Sequence, residues 1–184
     1  KEVEVKVSLN ESQLKFVEDK LNSLNANLET ETKETDIYFT APHRDFIKTK
    51  ECLRIRTNGE YKEITYKGKS TNLMEETGQF WKREIDIPID ASVKDAESFL
   101  KALDFKKVST VKKNRKRYTL EDKKITIDRV ENAGLFLEVE AEVTDQNKDD
   151  ALVTNMKILK DLEIDEKDIV KKPYRDLVLE KVKK

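Results

Sequence analysis

The chain has 184 residues, 41% of them charged and 36% hydrophobic, and its 37 lysines and arginines nearly cancel its 38 aspartates and glutamates. A net charge of −1 argues against a protein that works by coating nucleic acid, which needs a basic surface. The single cysteine, Cys52, excludes an internal disulfide and a cysteine-rich zinc site, and no apolar run approaches the roughly 18 residues of a membrane span, so one soluble, cytoplasmic domain over residues 1–184 is expected.

Residues 2–9, EVEVKVSL, alternate as a strand, with Val3, Val5, Val7 and Leu9 on one face and Glu2, Glu4 and Lys6 on the other. Asn10 and Gln13 have capping-box spacing, and Leu14, Phe16, Val17, Leu21 and Leu24 follow as a helical stripe. Strands are predicted over 35–41, 52–58 and 60–68, the last two joined by the hairpin dipeptide Asn58-Gly59. After a loop over 69–77 comes a strand at 78–89. Ser92 and Asp95 then open a helix striped by Ala96, Phe99, Leu100 and Leu103. Strands over 108–120, 123–130 and 135–143 follow, the first two turning at Glu121-Asp122. A loop is read at 145–150 and a helix within 144–164, carrying Leu152, Val153, Met156, Leu159 and Leu162, and Pro173 precedes a short amphipathic helix, YRDLVLEKV.

The alternation seen in residues 2–9 recurs. Arg54 and Arg56 oppose Leu53 and Ile55, Thr65 and Lys67 oppose Ile64 and Tyr66, and Lys82, Glu84 and Asp86 oppose Trp81, Ile85 and Ile87. Lys124, Thr126 and Asp128 oppose Ile125 and Ile127; Glu138, Glu140 and Glu142 oppose Leu137, Val139 and Val143; Lys113, Arg115 and Arg117 share a face of 108–120. If helices cover the apolar faces, the charged faces share the other side of one sheet. Left open, that side meets water. Closed, it lines a tunnel, and eight strands is about the smallest number that encloses a ligand-sized space. The expected fold is α+β: an eight-stranded antiparallel closed β-barrel with a charged interior and amphipathic helices packed outside. Charges so crowded call for partners of opposite sign. Lys6, Arg54, Arg56, Lys67, Lys113 and Arg115 suit a polyphosphate. Glu2, Glu4, Glu138 and Glu140, with Asp128 and Glu84 as further acids, suit a hard cation such as Mg²⁺ or Mn²⁺.

EVEVK resembles the Glu-x-Glu-x-Lys signature of the CYTH superfamily, the triphosphate tunnel metalloenzymes, and TDIYF, LRIR, YKG, KREIDI, KNRKRY, ITID, FLEVE and PYRDLVLE follow in matching order. Within it the chain is most similar to the class IV adenylyl cyclases, through TDIYFTAPHRDFIKTKECLRIR, although it lacks their Gln before Asp36 and adds the basic run KKNRKR. The resemblance implies that Glu2, Glu4, Glu138 and Glu140 hold metal and that Lys6, Arg54, Arg56, Lys67, Lys113 and Arg115 hold the triphosphate. It puts Lys6 and Asp128 nearest the chemistry, Asp128 supporting the metal site or a basic neighbour.

The expected reaction converts ATP to cyclic AMP and pyrophosphate. The alternative is a triphosphatase acting on tripolyphosphate, thiamine triphosphate or a nucleoside triphosphate. A reading from another class is a non-catalytic polyphosphate- or RNA-binding barrel, supported by the run Lys112–Arg117 but lacking interleaved base-stacking aromatics. With four glycines and no Walker-type loop, side chains must hold the phosphates. The partner expected is ATP or another triphosphate, not nucleic acid or a membrane, and a homodimer is compatible with the sequence. His43, the one histidine, is expected at the surface, and Arg117 outside the site.

Overall fold

Alternating valines and charges give β1, Glu2–Leu9, in which Val3, Val5 and Val7 are wholly buried. The structure, a computed structural model, describes residues 2–69, 79–142 and 148–182, with the backbone alone at 79–82 and 148. Helix α1, Glu11–Ser23, starts as its cap predicts: Gln13 N donates to Asn10 Oδ1 at 2.9 Å and Asn10 N to Gln13 Oε1 at 2.8 Å. It buries Val17 and Leu21. Phe16 is displaced by one residue from that stripe and stays 44% exposed, its ring beneath the Lys20 ammonium.

β2, Asn27–Thr40, begins well before the predicted residue 35. Its first half, NLETETKE, has no apolar face to read. It is held instead by β7, Lys106–Leu120, with Glu31 opposite Lys116 and Glu34 opposite Lys113. β3, Cys52–Asn58, and β4, Tyr61–Lys67, form the predicted hairpin, Gly59 taking φ +60° in its turn. The predicted strand 78–89 is divided at Arg83 into β5, Gln79–Lys82, and β6, Glu84–Pro88. The loop predicted over 69–77 lies almost wholly outside the described residues. So do the side chains of Trp81 and Lys82.

Ser92 Oγ accepts from Asp95 N at 3.1 Å and opens α2, Val93–Ala102, which buries Ala96 and Leu100 and leaves Phe99 and Leu103 exposed at its margin. β8, Lys123–Val130, and β9, Gly134–Glu142, complete the sheet. α3, Lys148–Asp161, already includes residues 148–150 of the predicted loop, because Asp149 and Asp150 suit the positive end of a helix dipole. It buries Ala151, Asn155, Ile158 and Leu159, whereas Val153 is exposed. α4, Tyr174–Val182, follows Pro173, as a first-turn proline allows. No described helix is long and apolar enough to cross a membrane.

All strand pairs are antiparallel, in the order β5-β1-β9-β8-β7-β2-β3-β4-β6. The strands at the two ends of that order, β5 and β6, are consecutive in the chain with only Arg83 between them. On the outer face α1 and α3 pack against β1, β8 and β9, and α2 packs against β2 and β3. The inner face is charged along most of each strand. Toward α4 it becomes apolar, where Tyr38, Val111, Val130 and Phe136 meet Tyr174 and Val178.

Candidate functional site

The inward positions of β1, β3, β4, β7 and β9 converge on one cavity of about 810 Å³. Glu2, Glu4, Lys6, Arg54, Arg56, Lys67, Lys113, Arg115, Glu138 and Glu140 all line it. Asp128 does not. It lies fully buried beneath that lining on the inner face of β8, gripping Arg115, whose Nε donates to its Oδ1 at 2.7 Å while Nη2 binds its Oδ2.

The charges fall into two groups. In the first, six cations, Lys6, Arg54, Arg56, Lys113, Arg115 and Arg117, meet four carboxylates, Glu34, Asp36, Asp128 and Glu138. Arg56 clasps Asp36 with two hydrogen bonds of 2.7 and 2.8 Å. Arg115 also donates to Glu138 at 2.7 Å, and Lys6 lies 3.5 Å from the same carboxylate. Lys113 sits 3.3 Å from Glu34 and 3.6 Å from Asp36.

Burial would raise these acids, but the cations outweigh it. Asp36 and Asp128 are held well below the ordinary aspartate range, and Glu34 at about 2. Arg54 is held more loosely, 3.7 Å from Asp36 and 3.8 Å from Glu84, and its buried Nε has no hydrogen-bond acceptor among the described residues. A buried donor left open in this way is costly unless an acceptor arrives.

Glu34, Asp36 and Tyr174 are site residues that the sequence reading missed. Glu34 precedes the predicted strand, and Asp36 is an acid among cations, legible only from its register opposite Arg56. The Tyr174 ring lies 4.4 Å from the Lys6 ammonium and 5.3 Å from that of Lys113, a cation–π support for both. Lys6 Nζ also donates to the Lys172 carbonyl at 3.2 Å.

Arg117 corrects its expectation. It lines the cavity and binds Glu34 and Thr32, because its position on β7 has the inward parity of Lys113 and Arg115. The run Lys112–Arg117 is therefore no single basic surface. Half of it points inward, and outside it Lys116 pairs with Glu18 at 2.7 Å.

The second group is acidic. Glu2, Glu4 and Glu84 surround the Lys67 ammonium, in direct contact with Glu2 and at 3.9 and 3.1 Å from the other two. Glu140 faces Glu2 and Glu4. Burial and the neighbouring charge of Glu2 push Glu140 up to about 8 and Glu84 up to about 7. Against burial, Lys67 holds Glu2 well below the usual carboxylate range.

Four carboxylates around one ammonium are short of positive charge, and their hard oxygen donors fit Mg²⁺ or Mn²⁺. Among the described residues no three acidic, histidine or cysteine side chains are grouped to hold one ion together. The Lys67 ammonium occupies the middle of the group instead. Glu138 belongs with Lys6 and Arg115 rather than with Glu140, and Glu84 stands beside Glu2. Asp86 accepts from Thr65 Oγ1 at 2.8 Å, and exposed His43 touches Arg44 in the loop after β2.

Lys113 gives the cavity a pH response. Burial first, then Arg115 and Arg56, push its ammonium down to about 8. Anion affinity is expected to fall as pH rises through about 8, where Lys113 loses its proton and Glu140 gains a negative charge. Lys113→Arg is expected to reduce the dependence to the part that Glu140 and Glu84 contribute, as read by calorimetric titration at pH about 7 and about 9.5. Without ligand the sign reverses. Between about 8 and the free-lysine value near 10.4 the unfolded chain binds more protons, so stability rises with pH there. A flat affinity profile would place Lys113 out of the anion's reach.

Residues 1–174 match the family model described as CYTH domain. A Methanocaldococcus jannaschii protein named "Putative adenylate cyclase MJ0240" is 38% identical over 177 residues, covering 96% of this chain and 97% of that one. The solved PH1819 protein of Pyrococcus horikoshii superposes with a TM-score of 0.85 at 32% identity, over 98% of this chain and 99% of that one. HpAC1 of Hippeastrum, described as an adenylyl cyclase candidate with a dominant triphosphatase activity, shares the fold with a TM-score of 0.66 at 18% identity, over 89% of each chain. This chain belongs to the CYTH domain family.

Proposed function

We propose that the run 79–88 closes the sheet into a tunnel, and that the tunnel binds a nucleoside triphosphate with a divalent metal and converts ATP to cyclic AMP and pyrophosphate. The observation that carries this reading is the division of one cavity into a cation-rich group with an unsatisfied Arg54 donor and an acid-rich group short of cations. Phosphates fit the first group and a metal the second. The chain order supports closure: β5, paired with β1, and β6, paired with β4, stand at the two ends of the sheet and are joined through Arg83 alone.

In this reading Glu2, Glu4 and Glu140, with Glu84 beside them, would hold Mg²⁺ or Mn²⁺ once the Lys67 ammonium, which now stands among them, turns to the phosphate chain. The bound metal supplies charge neutralisation at the phosphate oxygens. Lys6, Arg54, Arg56, Lys67, Lys113 and Arg115 bind the phosphate chain. Glu138 and Asp128 orient Lys6 and Arg115. Tyr174 and the apolar residues around it exclude water from one end of the cavity. The ribose 3′-oxygen attacks the α-phosphorus in line, the α–β bridging P–O bond breaks, the hydroxyl proton passes to solvent water, and pyrophosphate departs against the cations. Lys6, between Glu138 and Tyr174, is placed to neutralise it. Hydrolysis of a terminal phosphate by water uses the same cations, and the activity described for the Hippeastrum protein makes it the second reading.

The test incubates the protein with ATP or tripolyphosphate in Mg²⁺, Mn²⁺ or EDTA and separates the products. Cyclic AMP that disappears in EDTA supports the first reading, orthophosphate the second, and no turnover with no binding refutes both. In thermal melts, Mn²⁺ with tripolyphosphate is expected to raise Tm by about 5–10 °C over EDTA, from about 2.7 kcal/mol at a hundredfold excess over Kd and about 2–4 °C per kcal/mol. Unshifted melts would count against a triphosphate site.

A further inference from the structure

We infer that the outer face of β4 and β6, together with the adjoining flank of α2, joins two copies of this chain about a two-fold axis, the α2 ridge of each copy lying on the β6 stripe of the other.

The described helices leave two parts of the outer sheet face bare. Between α1 and α2 the outward residues Glu31, Lys33, Lys112 and Asn114 are polar and exposed, as on a face that meets water. Beyond α2, β6 is the opposite. Its outward residues Ile85 and Ile87 lie outside the core cluster that α2 closes and stay 39% and 54% exposed. They pair in register with Tyr66 and Ile64 of β4, which pack only partly against that cluster.

α2 adds a second apolar edge to this face. Its Glu97 turns toward β7, with Lys107 Nζ 3.5 Å away. At helical spacing Phe99 and Leu103 fall on the opposite flank, and in the sheet order that flank looks toward β4 and β6. Phe99 is 61% exposed and Leu103 51%. Single exposed apolar residues, such as Val153 on α3 and Val182 on α4, need no partner. Four large ones along one face do.

The occupant that this shape fits is another copy of itself. The face has a raised half, the α2 flank, and a lowered half, the uncovered strand β6. A two-fold axis sets each ridge in the hollow of the other copy, so one interface fills both halves. The charges agree. Asp95 and Asp104 stand by the ridge, while Lys62 and Arg83 share the outward parity of Ile64 and Ile85. Exchange therefore brings acids toward bases. The four exposed side chains offer about 400 Å² per copy, or about 800 Å² for two, close to the apolar half of a standard interface of about 1,600 Å².

Sedimentation velocity on the full chain between about 1 and 100 µM tests this. Wild type is expected to reach twice the chain mass within that range. Ile87→Lys and Phe99→Ser each remove an apolar anchor twice per dimer. Each is expected to raise the dimer dissociation constant about a hundredfold or more while keeping a cooperative melt. Lys112→Ser, on the bare polar stretch, is expected to leave that constant within about twofold. A wild type that stays monomeric at about 100 µM, a dimer that persists in either apolar variant, or equal dissociation in Lys112→Ser would overturn the interface. So would loss of the cooperative melt in both apolar variants, because the face would then be covered from within its own chain.

Discussion

Asp128→Asn is expected to lower Tm by about 6–20 °C, from about 3–5 kcal/mol for breaking a buried ion pair and about 2–4 °C per kcal/mol at this chain length. Asp128 is completely buried and is the bidentate partner of Arg115, with the Lys113 ammonium 4.0 Å away. An amide fills the same space but leaves both cations short of negative charge. A polyanion in the cavity would supply part of what was lost, so tripolyphosphate should raise the variant's Tm more than that of wild type. Scanning calorimetry with and without tripolyphosphate reads both effects. A drop no larger than that of Asp122→Asn, an exposed change in the β7–β8 turn, would mean that Asp128 does not anchor Arg115.

Arg54→Ala is expected to do the reverse, weakening triphosphate binding about tenfold to a hundredfold, or about 1.5–3 kcal/mol for a charge-assisted contact, with little change in Tm. Arg54 touches its acids only at 3.7 and 3.8 Å, and Asp36 keeps Arg56 and Lys113 when it is gone. Removing a buried donor without an acceptor also offsets the lost attraction. Calorimetric titration with tripolyphosphate and a melt on the same sample check the pair of outcomes. A large fall in Tm with unchanged affinity would make Arg54 a structural ion rather than a ligand.

The contrast between these variants shows what the sequence made legible. β1, β3 and β8 have the predicted bounds because each interleaves β-branched or leucine residues with charges, and that period survives any packing. The cations of the cavity follow from the same parity. Their acidic partners do not. Glu34 lies in a stretch whose two faces are both polar, so no period marks it as strand, and its burial depends on β7, about eighty residues away. The separation of Glu138 from Glu140 was equally hidden. They share a face, and only the register of β9 on β1, which sets Glu138 against Lys6 and Glu140 against Glu4, gives them different neighbours. Tyr174 reads as an ordinary packing residue until Lys6 and Lys113 are found over its ring.

The placement of β1 between β5 and β9 has a consequence for how the chain comes to be folded. β1 has no strand partner until residues 79–82 and 134–142 exist. At roughly 5–20 residues per second of synthesis, Val3, Val5 and Val7 therefore wait on the order of ten seconds for β9. Pairings so distant in sequence also make folding slow once the chain is whole. An unpaired strand with three valines on one face is a template for aggregation. Glu2, Glu4 and Lys6 interrupt it at every second residue, as gatekeeper charges do. The side chains that later face the cavity thus first keep their own strand from sticking to its neighbours on the ribosome.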